Sequence, residues 1–187
     1  MVIRRYWIIV ASYEHVMPGV TGGFAQAGHG KRSGLARMHA GDRILYYSPK
    51  VAYGGNEPLH AFTALGEVAD DEIRQLDMSP DFKPFRRNVK YLQTGMVKIW
   101  PLINNLQFIR NKKSWGYAFR YGMLEIQHQD FERIEQAFKN PAWQARTNWG
   151  SKISPAGCNE TKTLLLPDQL IHGTEPAAGP VWIKGVF

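Results

Sequence analysis

Residues 6–10, Tyr-Trp-Ile-Ile-Val, are the densest apolar run in the chain. They are β-branched or aromatic on both faces, which predicts a strand buried inside a sheet or barrel. Tyr13 to Met17 predict a helical turn or two before Pro18-Gly19 and Gly22-Gly23 break the chain. Glycines at 19, 22, 23, 28, 30 and 34 then make a loop whose backbone can come close to a ligand. A short helix is predicted over 35–39 with Gly41 as its C-terminal cap, and Gly41-Asp42 turns the chain into a strand over 43–48 closed by Pro49. Gly54-Gly55-Asn56 is the turn of a hairpin whose return strand spans 59–68.

Further along, 70–76 reads as a weak acidic helix, and 85–92 as a strand with one basic face. Residues 97–100 predict another short strand, 101–106 a helical turn, and 122–127 the last strand with Leu124 and Ile126 pointing inward. Asp130 then caps a helix carrying Phe131, Ile134 and Phe138 at helical spacing, ended by Asn140-Pro141. Short strands with irregular helices between them predict an α+β domain over residues 1–140, a small, mostly antiparallel β-barrel with helices packed on it. After Pro141 the periodicity dissolves into 47 residues with five Pro and five Gly, so 141–187 is expected to be an extension, poorly structured or loosely packed.

Charge changes the picture. With 23 Lys and Arg against 16 Asp and Glu the chain carries +7, which favours a polyanionic partner. The single cysteine, Cys158, excludes an internal disulfide and the common zinc folds. No apolar run is long enough for a membrane span or a signal-peptide core, so a cytoplasmic protein is expected, with no membrane contact. The histidines at 15, 29, 39, 60 and 128 are scattered without metal-ligand spacing, so no metal and no cofactor are expected.

Three stretches carry candidate chemistry. The glycine-rich segment 22–31, followed by Lys31 and Arg32, can cradle a phosphate through backbone N–H groups, although its spacing is not that of a Walker loop. An ordinary surface loop fits the same composition. On a strand, Tyr46 and Tyr47 face opposite ways, so at most one joins the main core and the other is free to line a pocket, unless both simply pack. From Arg110 to Tyr121, Lys112, Lys113 and Arg120 interleave with Trp115, Tyr117 and Phe119, the mixture of cations and stacking surfaces that single-stranded nucleic acid needs. The alternative there is a core with a solvated basic rim. A triad of Ser48, His29 and Asp42 is weak, because no nucleophile elbow surrounds the serine.

These residues also resemble the EVE domain family, relatives of the PUA-like fold. The resemblance spans roughly residues 5–140 and rests on Trp7-Ile8-Ile9-Val10-Ala11-Ser12, Gly23-Phe24-Ala25-Gln26 through His29-Gly30-Lys31, and Arg37-Met38 with Gly41-Asp42 through Tyr46-Tyr47-Ser48-Pro49-Lys50. Arg86-Arg87 with Lys90-Tyr91, Pro101-Leu102, Trp115-Gly116 and Asp130-Phe131 with Ile134 extend it. It implies a five- or six-stranded PUA-like pseudo-barrel, similar to the YTH readers of methylated adenine, that recognises a modified base in DNA, chiefly modified cytosine, or in RNA. By position, Ser12, Phe24, Gln26, His29, Tyr47, Ser48 and Trp115 would surround the base. Lys31, Arg32, Arg86, Arg87, Lys112 and Lys113 would hold flanking phosphates. The implied protein is a non-catalytic monomeric reader. The related ASCH domains imply an alternative, a hydrolase of a modified nucleoside or RNA with Lys31, His29 or Glu67 as acid or base. A third reading is an interaction protein whose pocket takes only a small metabolite.

Overall fold

The computed structural model describes residues 4–140, and the predicted extension 141–187 lies outside the described residues. In chain order the elements are β1 (Tyr6–Val10), α1 (Tyr13–Gly22), β2 (Phe24–Ala25), a 3-10 turn (Gly28–Gly30), α2 (Arg32–Leu35), β3 (Arg43–Lys50), β4 (Pro58–Gln75), β5 (Phe85–Lys98), a second 3-10 turn (Trp115–Phe119), β6 (Met123–Ile126) and α3 (His128–Lys139). The class is α+β, as the sequence predicts.

The six strands form one sheet in the order β2-β5-β4-β3-β1-β6. β1 runs parallel to β3, and every other pairing is antiparallel. Strand alternation sorts the apolar side chains onto two faces. Trp7, Ile9, Ile44 and Tyr46 pack with Val16 of α1 and Leu35 of α2. Ile8, Leu45 and Tyr47 pack with Phe131, Ile134 and Phe138 of α3. Both predicted core strands are therefore covered on both sides, which explains why β1 reads as continuously apolar.

The expected barrel is not closed. The edge strands β2 and β6 each pair with a single neighbour, β5 and β1. Register shifts between Phe62 and Ala64, between Leu65 and Gly66, and between Val68 and Ile73 bend the long β4–β5 hairpin. Helices on both faces bury the apolar surface that closure would otherwise have to bury, so a curved open sheet suffices.

Local expectations differ in five places. Residues 70–75 extend β4, pairing Ile73, Arg74 and Gln75 with Arg87, Arg86 and Phe85, because a partner strand overrides the weak helical pattern. Residues 97 and 98 end β5 rather than starting a new strand. α1 runs through Pro18 and ends at Gly23, whose φ of +66° supplies the left-handed cap. The second helix forms at Arg32–Leu35, ahead of the predicted 35–39. Asp130 sits inside α3 and does not cap it; its carboxylate accepts from the backbone N–H groups of Gln107 and Phe108, both at 2.9 Å, and pins that segment to the helix. Among the described residues no helix is long and apolar enough to cross a membrane.

Candidate functional site

Three segments converge where β1 and β3 end. Ser12 follows β1, and its carbonyl accepts the N–H groups of His15 and Val16 to start α1. The Ala11 N–H donates to the Tyr47 carbonyl and the Glu14 N–H to that of Val51, which ties the first turn of α1 to the β3–β4 loop. From that loop Tyr53 meets the His15 ring at 5.5 Å between centroids and the His29 ring, edge on, at 6.5 Å. His29 reaches this place in the left-handed region, φ +57°, between Gly28 and Gly30. Gly30 is required there: at φ +80°, an added Cβ would lie 2.7 Å from Pro84 Cβ.

Just ahead of α1, Ser12 is buried and its Oγ has no hydrogen-bond partner among the described residues, nor does it cap the helix. A buried hydroxyl without a protein partner costs free energy unless water or a ligand answers it. Burial pushes the His15 pKa down, with Glu14 opposing and the His29 charge reinforcing the shift. The ring is thereby biased toward the neutral form, able to donate and accept.

β2 is held by its backbone. The Gln26 N–H donates to Tyr46 Oη and that hydroxyl donates to the Gln26 carbonyl, both at 3.2 Å, while Tyr91 Oη donates to the Phe24 carbonyl at 2.9 Å. Burial pushes the Tyr46 phenol up to about 12 and the Tyr91 phenol up as well, so both stay protonated as donors. The side chains of Phe24 and Gln26 remain half-buried at the rim. Arg86 covers them, with its guanidinium 3.8 Å from the Phe24 ring centroid and Nε 3.5 Å from Gln26 Oε1. Lys31 and Arg32 stand exposed beside the 28–30 turn.

Ser12 follows β1, Phe24, Gln26, His29, Lys31 and Arg32 follow α1 along the chain, and the Arg86 guanidinium packs on Phe24. Tyr47 is buried on the α3 side with Phe119 stacked on it at 3.9 Å, and its Oη lies 3.1 Å from His60 Nδ1. It offers no open ring face. The buried Ser48 hydroxyl is bonded to that of Thr63 at 2.9 Å. Trp115 joins His60 and Trp100 on the Tyr47 side. Arg87 is 3% exposed and matched by the Asp70 carbonyl and Asp71, so its charge serves the fold. Lys112 donates to the Leu106 carbonyl, whereas Lys113 is exposed.

Ser48, His29 and Asp42 occupy three separate environments, since the Asp42 carboxylate is taken by Arg5, Trp7 and His39. Glu67 is held by Arg43 at 3.2 Å and Arg4 at 3.6 Å. Both tyrosines of the 46–47 pair are buried, the alternative in which both simply pack, because each sheet face has its own core. Sequence reasoning gave no site role to His15, Tyr53 or Tyr91, although His15 stands one helical turn from Ser12 and Tyr91 falls in the stretch that carries the resemblance. Among the described residues no group of three or more His, Cys, Asp or Glu side chains is placed to hold a metal ion.

The family profile of the EVE domain matches residues 5–137. The chain belongs to the EVE domain family. A UPF0310 protein of Mycolicibacterium vanbaalenii is 50% identical over 135 residues, covering 72% of this chain and 93% of that protein. The UPF0310 protein YdcG of Bacillus subtilis is 41% identical over 133 residues, 71% of this chain and 91% of YdcG. Among solved structures, the YTH domain of the Zygosaccharomyces rouxii MRB1 protein in complex with N6-methyladenosine RNA matches with a TM-score of 0.50, over 73% of this chain and 88% of that one. At 19% identity that likeness is one of fold. Ser12, His15, His29 and Tyr53 all lie inside the EVE match, and residues 138–187 lie beyond it.

Proposed function

We propose that this EVE domain is a binding module for a modified nucleobase in nucleic acid, and that the base enters the mouth above Ser12. The buried, unpartnered Ser12 Oγ carries the reading. A flat heterocycle entering there finds one hydroxyl at its edge, the half-buried Gln26 amide, and the rings of His15, His29 and Tyr53 around it. Lys31, Arg32 and Arg86 supply positive charge at the rim for flanking phosphates. Extracting a base costs a few kcal/mol of unstacking, which ring contacts and edge hydrogen bonds offset. We read the module as a binder: the Ser48 hydroxyl is bonded to Thr63 and Glu67 is paired with Arg43, which leaves His29 and Lys31 as the acid or base candidates of the hydrolase alternative.

The YTH domain of like fold holds N6-methyladenosine RNA, which makes methylated RNA one arm of the test and DNA with modified cytosine the other. Fluorescence titration at low salt should show binding that weakens as salt rises and that favours the modified oligonucleotide in one arm. Equal affinity for modified and unmodified strands in both arms rejects the reading.

A further inference from the structure

Between Asp81 and Glu125 the chain carries nine Lys and Arg and no carboxylate. Part of this stretch packs on the α3 side of the sheet and exposes large aromatic rings. Trp100 is 53% exposed and stands edge on to Trp115 at 5.0 Å and to His60 at 5.4 Å. The third pair, His60 with Trp115, is also perpendicular, at 5.3 Å. Three rings packed this way brace one another, so the exposed indole is held in place without being covered. His60 sits in the left-handed region at φ +49° to make this contact, a conformation unusual for a non-glycine residue.

A short step along the chain, Tyr117 and Tyr121 are 60% and 71% exposed. The Arg120 guanidinium lies over both, 3.7 Å and 4.4 Å from their ring centroids, and donates to the Tyr121 hydroxyl. Lys113 and Arg110 are exposed beside them. Exposed π-faces fixed in orientation among cations, with no carboxylate in the segment, match the chemistry of unpaired bases on a phosphate backbone. A duplex hides its base faces and would leave these rings unused.

We propose that Trp100, Tyr117 and Tyr121, with Lys113 and Arg120, form a second nucleic-acid contact, a stacking platform for the single-stranded nucleotides that flank the base in the mouth. The platform rests on the nucleic-acid reading above and makes the partner single-stranded. Its contribution is independent of the modification, because stacking accepts any base.

The test is fluorescence anisotropy of the full chain with labelled 12-nucleotide single strands, modified and unmodified, the matching duplexes, and the modified mononucleotide. Trp100→Ala, and Tyr117→Ala combined with Tyr121→Ala, should each weaken both single strands on the order of tenfold per ring removed. The ratio of modified to unmodified affinity and the binding of the mononucleotide should stay unchanged, and Trp100→Phe should bind as wild type does. All three tyrosine and tryptophan positions are exposed, so thermal melting should match wild type. Wild-type affinity of both alanine variants for the 12-mers overturns the platform and leaves the mouth reading intact. A wild-type protein that binds 12-mers without distinguishing the modification, yet loses them in the alanine variants, supports the platform and removes the mouth reading. Tighter binding of the duplex than of the single strand overturns the assignment to unpaired bases.

Discussion

The Trp7 indole Nε1 donates a 3.0 Å hydrogen bond to Asp42 Oδ2 inside the core on the α1 side. The same carboxylate accepts from the backbone N–H groups of Arg5 and His39, both at 2.9 Å, so one side chain joins β1 to the turn before β3. Asp42→Ala leaves three donors unanswered, two of them on backbone. It should destabilise the domain by about 3 kcal/mol, read as a lower urea midpoint with unchanged slope.

How much of this was legible depends on the range of the interaction. The buried β1, the β3–β4 hairpin and α3 announce themselves because their patterns repeat within a few residues. The continuation of β4 through 70–75 does not, since its only warrant is the facing segment 85–87. For the same reason the resemblance groups Ser12, Phe24 and Gln26 with Tyr47 and Trp115, whereas alternation assigns Tyr46 and Tyr47 to opposite faces without saying which neighbours each meets. The fate of Arg87 was hidden too. A basic strand looks like a phosphate surface until Asp70 and Asp71, sixteen or more residues away, are seen to take its guanidinium.

Two glycines of similar backbone geometry separate strain from crowding. Gly41 has φ +84° and open space where a Cβ would stand, so Gly41→Ala should cost about 1 kcal/mol, the left-handed penalty alone. Gly30 has φ +80° and Pro84 at 2.7 Å, so Gly30→Ala adds a clash that displaces the 28–30 turn. Its stability loss should exceed that of Gly41→Ala, and it alone should weaken oligonucleotide binding. Parallel melts and titrations of the two variants check this.

His60 gives the fold a defined acid response. Burial, and then the Lys98 charge, lower its pKa below the usual 6.5. Burial lowers that of His15 in the same direction. Above about pH 6.5 each ring is neutral whether the chain is folded or not. As pH falls from there through the lowered folded values, the unfolded chain takes up protons that the folded one resists, and stability is lost. Urea midpoints should therefore drop between pH 7 and pH 5. His60→Asn, which keeps a residue tolerant of the left-handed region, should show a smaller drop.

Ser12→Ala should pull stability and binding in opposite directions. The Ser12 Oγ is buried, caps nothing and has no partner in the folded protein, so removing it abolishes a desolvated hydroxyl and leaves no donor or acceptor behind. The variant should be as stable as wild type or more stable by up to about 1 kcal/mol. If the hydroxyl is kept for the edge of an incoming base, the same change removes a hydrogen bond made only in the complex. Affinity for the modified oligonucleotide should then fall about five- to tenfold while affinity for the unmodified strand changes less. A melt and a titration on one variant decide it: a serine that served only the fold would lower stability when truncated and leave the modified-to-unmodified ratio where it was.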